Sequence, residues 1–247
     1  MKLTLAESRL LKEPINIISE LVNEVTLTID PDKIEIIAMD PANVALVVFR
    51  LLSSAFIDYS LEKPVQISLN LDNLKQVLRR AKPSDTVILE IEENKLRIEL
   101  SGDSKRVFHL SLIKLDNQEQ KIPSLSFSVT IETTALSFNE AIEDMDIVAD
   151  SVLLSAEPSR FSIEATGTLS RAKVDLVSNE DTKINMKEEN KVTSKYSLEY
   201  LKKIIKGSKL SGLASLYFSN NYPLKVQYKI QDKLDLEFIL APRVQND

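Results

Sequence analysis

The 247-residue chain contains no cysteine, one histidine and four glycines, and each scarcity removes a class of site. Without cysteine there is neither a disulfide framework nor a thiolate centre. His109 alone cannot form a histidine-based zinc site or catalytic pair within one chain. The glycines form no G-x-x-x-x-G-K-[ST] or G-x-G-x-x-G loop that would hold nucleotide phosphates. Because the carboxylates also lack a characteristic spacing, the sequence predicts neither an enzyme nor a bound metal or cofactor.

The composition is that of an ordinary globular protein, with 43% hydrophobic residues, 28% charged residues and a net charge of -6. No apolar run approaches the roughly 18 residues that a membrane-spanning helix requires. The N-terminal stretch MKLTLAESRLLKEP lacks the uninterrupted apolar region of a signal peptide. We therefore expect the protein to lie inside the cell, in the cytoplasm.

Most of the chain shows the alternation of apolar and polar residues that is typical of β-strands, interrupted by turn residues. Helical periodicity is found instead at residues 7–22, 71–82, 136–149 and 198–209, so the predicted fold class is α+β. In the first of these stretches Pro14 predicts either a helix start near that residue or a kink. The predicted strands include residues 25–29, 34–39, 86–91, 95–100, 152–156, 160–165, 213–218, 224–230 and 234–240.

Two of the helical stretches are related by a constant offset of 127 residues. LDNLKQVLRRAK at 71–82 and LEYLKKIIKGSK at 198–209 match apolar residue to apolar residue and basic residue to basic residue. The same offset places DPDKIEI at 30–36 on EPSRFSI at 157–163. So long a period indicates a duplicated domain and not a solenoid. We predict one domain over 1–115, an exposed polar connector over 116–125 and a second domain over 126–247.

Each of these two basic stretches has an apolar face and, turned away from it, a stripe of basic residues. Each stretch has a net charge of +3, so the rest of the chain totals -12. Charge that is segregated in this way indicates a polyanionic partner on one face. No aromatic residues interleave with the stripe, which favours contacts to phosphates without reading of the base sequence. The stripes consist of Lys75, Arg79 and Lys82 and of Lys202, Lys206 and Lys209.

Segments that stand in order and at matching distances resemble those of a known family. MDPANVALV at 39–47 is similar to its M-D-x-x-x-V-x-L motif, and residues 68–89 have its strand–helix–strand spacing. PLKVQYKI at 223–230 followed by LEFILAPRV at 236–244 is similar to its C-terminal block, which ends in L-A-P-[KR]-[IV]. Over essentially its full length the chain resembles the sliding clamps of the proliferating cell nuclear antigen (PCNA) type, most of all the archaeal ones.

The resemblance implies a ring of three subunits, each with two copies of one clamp domain, with antiparallel sheets outside and two helices per domain inside. Double-stranded DNA would pass through the ring without sequence-specific contacts, which would associate the protein with the nucleoid. The ring would act without catalysis as a processivity factor for the replicative polymerase, a flap endonuclease and a DNA ligase, and a clamp loader would open it. An alternative, a DNA-binding module of duplicated β-rich domains that forms no ring, stays open, as does the choice between homotrimer and heterotrimer.

The implied DNA-contacting surface departs from the family at one helix. Family members often carry basic residues on the helix that corresponds to 136–149, whereas here it carries Glu140, Glu143, Asp144 and Asp146. These side chains would face an adjacent subunit or solvent. The predicted DNA-binding residues are Arg9, Lys12, Lys75, Arg79, Arg80, Lys82, Lys202, Lys203, Lys206 and Lys209.

Two further sites are expected, a subunit interface and a pocket for client peptides. The ring would close by pairing of the edge strands 106–113 and 171–177, with Phe108, Leu110, Val174 and Leu176 as interface residues. Client peptides of the Q-x-x-[ILM]-x-x-[FY]-[FY] type would insert apolar anchors into a pocket beneath the connector. Gln120 stands where the family commonly has an apolar residue. The predicted pocket residues are Met39, Val44, Leu46, Ile122, Pro123, Pro223, Ile239, Ala241, Pro242 and Val244.

Overall fold

The computed structural model describes residues 1–115, 120–187 and 190–243, and the chain divides into two compact units. Val244, one of the predicted pocket residues, and residues 116–119 of the predicted connector lie outside the described residues. Unit 1 consists of Met1–Pro41, Val47–Ile122 and Ile230–Leu236. Unit 2 consists of Ala42–Leu46, Pro123–Lys229 and Glu237–Asp247.

Unit 1 is built from antiparallel strands and two helices. Its helices are α1 (Arg9–Ile18) and α2 (Leu71–Arg79), and a short 3₁₀ turn covers Ser53–Ala55. Its strands are β1 (Lys2–Leu5), β2 (Glu24–Ile29), β3 (Lys33–Met39), β4 (Ala45–Leu52), β5 (Asp58–Ser60), β6 (Val65–Asn70), β7 (Thr86–Glu92), β8 (Lys95–Ser101) and β9 (Lys105–Ser111). Five of them form a sheet in the order β5-β1-β7-β8-β9, and the others lie in the order β6-β2-β3-β4.

Unit 2 repeats this construction. Its helices are α3 (Ala135–Asp146) and α4 (Leu198–Ile204), and a 3₁₀ segment at Ile205–Lys209 continues α4. Its strands are β10 (Val129–Thr134), β11 (Ser151–Glu157), β12 (Arg160–Thr166), β13 (Arg171–Val177), β14 (Lys183–Met186), β15 (Val192–Ser197), β16 (Leu213–Phe218), β17 (Leu224–Ile230) and β18 (Leu234–Leu240). Four of them form a sheet in the order β13-β12-β11-β15, and the others lie in the order β14-β10-β16-β17-β18.

The internal duplication predicted from the 127-residue offset is confirmed by the topology. Adding 127 to the bounds of β3 and β6 gives the bounds of β12 and β15. The strand orders of the two units also correspond, with β9 taking the place of β18 and β4 taking the place of β13. The nine strands predicted from alternation are all present, because each has the inward–outward burial pattern that its sequence indicates.

Helix α2 illustrates why the basic stretches are amphipathic. Leu71, Leu74, Val77 and Leu78 are buried, whereas the basic side chains of the same helix are exposed or half-buried. The side chain of Asn70 caps the helix by accepting a hydrogen bond from the backbone N–H of Asn73 at 3.1 Å. The apolar face packs against α1, so the position of the basic side chains is fixed by the core.

Two helical stretches are shorter than predicted. Helix α1 covers less than the predicted 7–22, and of the two alternatives at Pro14 a helix start is excluded, since the helix carries this residue, buried, in its interior. The second basic stretch is α-helical only to Ile204, after which Lys206 and Lys209 lie in the 3₁₀ segment. Within this segment, a Cβ atom at Gly207 would stand 2.2 Å from the ring of Tyr228, so the backbone lies close to that buried side chain.

Candidate functional site

Six predicted DNA-binding residues form the basic surface of unit 1, defined as Arg9, Lys12, Lys75, Arg79, Arg80 and Lys82. Arg79 and Arg80 are exposed and Lys75 is half-buried at the end of the first turn of α2. Within the described ranges, these three side chains form neither an ion pair nor a hydrogen bond. They therefore offer positive charge that an external anion can neutralise.

Lys12 and Lys82, two further members of this surface, contact other residues of unit 1. Lys12 Nζ donates to the backbone oxygen of Ala81 at 3.1 Å, which ties α1 to the end of α2. Lys82 Nζ lies 3.2 Å from Asp103 Oδ2, but both side chains are more than half exposed. An exposed pair of this kind is weak, so a phosphate can displace Asp103 from Lys82.

A buried carboxylate shapes the loop that follows α2. Asp85 is 1% exposed, and its Oδ2 accepts a hydrogen bond from the backbone N–H of Lys82 at 2.7 Å. The same oxygen accepts a hydrogen bond from Arg106, whose Nη1 also donates to the backbone oxygen of Arg80 at 2.8 Å. The bond from the Lys82 N–H and the Arg106 guanidinium hold the pKa of Asp85 below its usual range. Asp85 and Arg106 thus position the segment that carries Arg80 and Lys82, a role that no sequence pattern signalled.

The basic surface of unit 2, defined as Lys202, Lys203, Lys206 and Lys209, is more strongly paired. Lys202 Nζ lies 2.6 Å from Asp146 Oδ2 at the end of α3. Lys203 Nζ lies 3.5 Å from Glu199 and 5.2 Å from the ring centroid of Tyr200. Lys209 is exposed and Lys206 is half-buried. The two basic stretches of the sequence are therefore equivalent in position but not in available charge.

Helix α3 presents the acidic surface that the sequence showed. Glu140, Glu143 and Asp144 are exposed, and within the described part of the chain they form no ion pair or hydrogen bond. Two aliphatic residues on the same helical face, Leu136 and Ile147, are 62% and 84% exposed. The surface thus combines unneutralised carboxylates with uncovered apolar groups.

The two strands predicted to form the subunit interface lie at sheet edges. Strand β9 ends the five-stranded sheet of unit 1, and β13 ends the four-stranded sheet of unit 2. Phe108, Leu110, Val174 and Leu176 are all half-buried, on the inner face of their strands. The outward side chains of both strands include several basic residues, and Lys173 of β13 lies 3.3 Å from Glu164 of the neighbouring strand.

The predicted client-pocket residues fall into both units, so each group is described separately. In unit 1, Met39 is half-buried and Ile122 is 39% exposed. In unit 2, Ala241 N–H donates to the backbone oxygen of Val44 at 2.9 Å, which brings these two members together. Leu46 and Ile239 are 2% and 8% exposed and belong to the core. Of the remaining members, Pro123 is exposed and Pro223 and Pro242 are half-buried.

The described residues show neither a cluster of metal ligands nor a helix that could span a membrane. Within residues 1–115, 120–187 and 190–243, no group of three or more His, Asp or Glu side chains is arranged to hold a metal ion. The four α-helices of the described ranges are too short and too polar to cross a membrane.

Comparison with known sequences identifies the family. The domain described as "Proliferating cell nuclear antigen, N-terminal domain" matches residues 1–121, and the C-terminal domain of the same antigen matches residues 121–243. A DNA polymerase sliding clamp of Nanoarchaeum equitans is 34% identical over 247 residues, which cover 98% of this chain and 99% of that protein. A DNA polymerase sliding clamp of Pyrococcus furiosus is 32% identical over 232 residues, which cover 94% and 93%.

Solved structures agree with the sequences. PCNA from Thermococcus kodakaraensis matches with a TM-score of 0.92 at 27% identity, covering 98% of this chain and 99% of that one. A PCNA from Entamoeba histolytica also reaches a TM-score of 0.92, but at 20% identity it shows the fold alone. The fold and the family matches together define a two-domain protein of the clamp class. The chain belongs to the proliferating cell nuclear antigen family, and the predicted α+β fold with two copies of one domain is confirmed.

Proposed function

We propose that this protein is a DNA sliding clamp, a ring of three chains that encircles duplex DNA and acts as a processivity factor. The observation that carries the proposal is the family match over both domains, joined to a duplicated fold that presents a basic helix in each copy. The basic surfaces would contact phosphates in the ring, which explains why a chain of net charge -6 keeps them. The closed ring would be kept on DNA mainly by encircling it, because few contacts between the ring and the phosphates would form at once.

Ring closure by β9 of one copy and β13 of the next is supported by the internal duplication. The strands that correspond to β9 and β13 are β18 and β4. The unit bounds divide both strands, and within each unit one hydrogen bond joins residues at or beside their ends. In unit 1, Leu52 N–H donates to the oxygen of Lys233 at 2.9 Å. In unit 2, Ala241 N–H donates to the oxygen of Val44 at 2.9 Å. Pairing between copies would repeat this arrangement, in a head-to-tail contact that closes by rotation.

The helices beside these edges have complementary charges. Helix α2 packs against β9, and α3 packs against β13. If the edges pair, Arg79 and Arg80 of one copy would face Glu143 and Asp144 of the next and neutralise them, which would leave Lys75 and Lys82 of the basic surface of unit 1 for phosphates. Every copy carries both signs, so one kind of chain fits itself, and we propose a homotrimer.

The same ring would tether client enzymes without catalysis of its own. We propose the replicative polymerase, a flap endonuclease and a DNA ligase as clients, and a clamp loader as the factor that opens the ring. Exposed Ile122 and half-buried Pro242, both members of the predicted pocket, supply apolar surface for the anchors of client peptides. The net negative charge of the chain alone would not select such partners.

Native mass spectrometry and retention on DNA test the proposal. We expect a mass three times that of the chain, and retention on closed circular DNA after loading but loss from linear DNA. A monomer that binds both DNA forms equally would instead support the non-ring module. Charge reversal tests the proposed contact between α2 of one copy and α3 of the next. We expect the double variant Arg79→Glu/Arg80→Glu to weaken the trimer, and the double variant Glu143→Lys/Asp144→Lys to weaken it as well. The four substitutions together in one chain should restore the trimer, and a failure of this restoration would argue against the α2–α3 contact.

A further inference from the structure

A surface cavity of about 760 Å³ lies wholly within unit 2, and no sequence motif assigned it a role. Its floor is the outer face of the sheet β13-β12-β11-β15. There Leu153 of β11 stands opposite Lys195 of β15 on one side and opposite Glu164 of β12 on the other. Its wall is the segment Pro242–Arg243, because Arg243 N–H donates to the backbone oxygen of Lys195 at 2.7 Å. The cavity is therefore built from a hydrogen-bonded sheet and a segment that is bonded to it.

The charges that line this cavity are unbalanced. Arg171 lies 2.7 Å from Glu164, and these two lining residues neutralise each other. The guanidinium and the neighbouring Lys173 hold the pKa of Glu164 below its usual range, so this carboxylate stays ionised. Lys195 and Arg243 also line the cavity, and in the described ranges neither side chain forms an ion pair or hydrogen bond. Two positive charges are left over on the surface of an acidic protein.

We propose that this cavity binds an acidic extension of a client peptide, with Lys195 and Arg243 pairing with its carboxylates. The proposal rests on the proposed client function, because Pro242 belongs both to the cavity wall and to the predicted client pocket. A peptide anchored at Pro242 has only to continue past its anchors to enter the cavity. Leu153, which is part of the floor and 37% exposed, offers apolar contact to the peptide.

An acidic peptide fits this cavity better than the phosphates of duplex DNA. Only Lys195 and Arg243 are left to pair with an anion here, because Glu164 and Arg171 neutralise each other. A duplex carries a charge on every nucleotide, whereas a peptide can place carboxylates only beside these two cations. The hydroxyl of Thr193 and the amide of Asn221 also line the cavity and can hydrogen-bond to a peptide main chain. The duplex is expected instead at the basic surfaces of the helices.

Calorimetry with five peptides tests the inference. All contain the same Q-x-x-[ILM]-x-x-[FY]-[FY] core. One has no extension, two carry an acidic extension at one end or the other, and two carry a neutral Gln/Asn extension at the same positions. We expect the acidic extension at one end to tighten binding by about fivefold relative to the neutral one, which is the scale of one or two partly exposed ion pairs. Lys195→Glu and Arg243→Glu should each remove the gain and leave the affinity of the core unchanged. Lys229→Glu, an equal charge change on an exposed residue of β17, should keep it.

The possible outcomes separate the two proposals. If the core binds and both extensions bind equally, or if the gain survives Lys195→Glu together with Arg243→Glu, the cavity assignment is wrong and the client function stands. If the core does not bind, the client pocket is wrong, and the cavity is then judged by titrating the acidic extension alone. In that titration, amide resonances of Leu153 and Thr193 should shift and Lys195→Glu should abolish the shift. Displacement of the acidic extension by short duplex DNA would also overturn the proposal.

Discussion

The ammonium of Lys202 lies 2.6 Å from the carboxylate of Asp146, so a basic residue of α4 is paired with the acidic helix of the same unit. Its counterpart at the 127-residue offset, Lys75 of α2, has no such partner in the described part of the chain. Both side chains are partly exposed, and the pair is only moderately strong. The duplication has therefore kept the charge in both copies, but only one copy presents it unpaired.

We predict that Lys75→Ala weakens duplex binding more than Lys202→Ala. Each phosphate contact contributes a slope of about −0.9 to the dependence of log K on log salt, so Lys75→Ala should remove about one such unit. Lys202→Ala should remove clearly less, because Asp146 already neutralises this ammonium. Fluorescence anisotropy of a short labelled duplex over a range of salt concentrations measures the slopes. Asp146→Asn should increase the slope, and equal effects of the two alanine variants would contradict the prediction.

Sequence periodicity predicted the strands, the helical stretches and the duplication because each depends on local burial. The inward positions of β3 and β12 are apolar in both copies, and this alternation is independent of what packs above it. The close approach of Gly207 to Tyr228 is not predictable from local pattern, since the two residues are 21 apart in sequence. Local pattern also does not decide between a helix start and a kink at Pro14, because tertiary packing decides whether a helix tolerates proline.

The candidate site was predictable in residue type but not in pairing. Spacing alone placed Lys75, Arg79 and Lys202 on exposed helical faces, where the structure has them. Partners such as Asp146, Asp85 and Arg106 come from other elements, and only the fold brings them into contact. The assignments to DNA, subunit and client, and the domain boundaries, stay predictions.

Ile122 is the member of the predicted client pocket best suited to a mutational test. It is 39% exposed, so Ile122→Ser should leave folding intact, whereas Ile239 is 8% exposed and its replacement by serine would disturb the core. We expect Ile122→Ser to weaken a Q-x-x-[ILM]-x-x-[FY]-[FY] peptide by about tenfold, or roughly 1.4 kcal/mol, by removing apolar contact. Calorimetry on the assembled protein measures this loss.

Leu169 provides the matched control for this test. It is an aliphatic residue that is 98% exposed in the turn between β12 and β13, so its side chain contributes almost nothing to the core. Leu169→Ser should leave peptide affinity unchanged. If both variants bind the peptide as tightly as the parent protein, the client pocket lies away from Ile122.

The buried carboxylate of Asp85 predicts a pH dependence of stability. Its pKa is lowered in the folded protein by the hydrogen bond from Lys82 N–H and by Arg106. A carboxyl group with a lowered folded pKa stabilises the protein fully above its unfolded pKa of about 3.9, and this contribution is lost as pH falls through the folded pKa. We therefore expect Asp85→Asn to lower the free energy of unfolding near neutral pH, and the difference from the parent protein to shrink below about pH 4.

Urea unfolding at a series of pH values measures this difference. Asp103→Asn is the control, because this carboxylate is 83% exposed and, among the described residues, pairs only with the exposed ammonium of Lys82. Its effect on stability should be small at every pH. A difference for Asp85→Asn that stays constant from neutral to acidic pH would mean that its charge does not stabilise the fold.

Gly207 lies where the 3₁₀ segment passes the ring of Tyr228, and we predict that this contact tolerates no side chain. A Cβ atom there would stand 2.2 Å from two ring carbons of Tyr228, which is itself fully buried and unable to move aside freely. We expect Gly207→Ala to reduce the free energy of unfolding by about 1–3 kcal/mol, the usual scale of overpacking. It should also weaken duplex binding, because Lys206 and Lys209 flank the displaced backbone.

Gly212→Ala is the control. With no atom within 4 Å of the added Cβ, it should be neutral or slightly stabilising. Urea unfolding of the two variants side by side is the measurement, and equal stabilities would show that the backbone at Gly207 can yield.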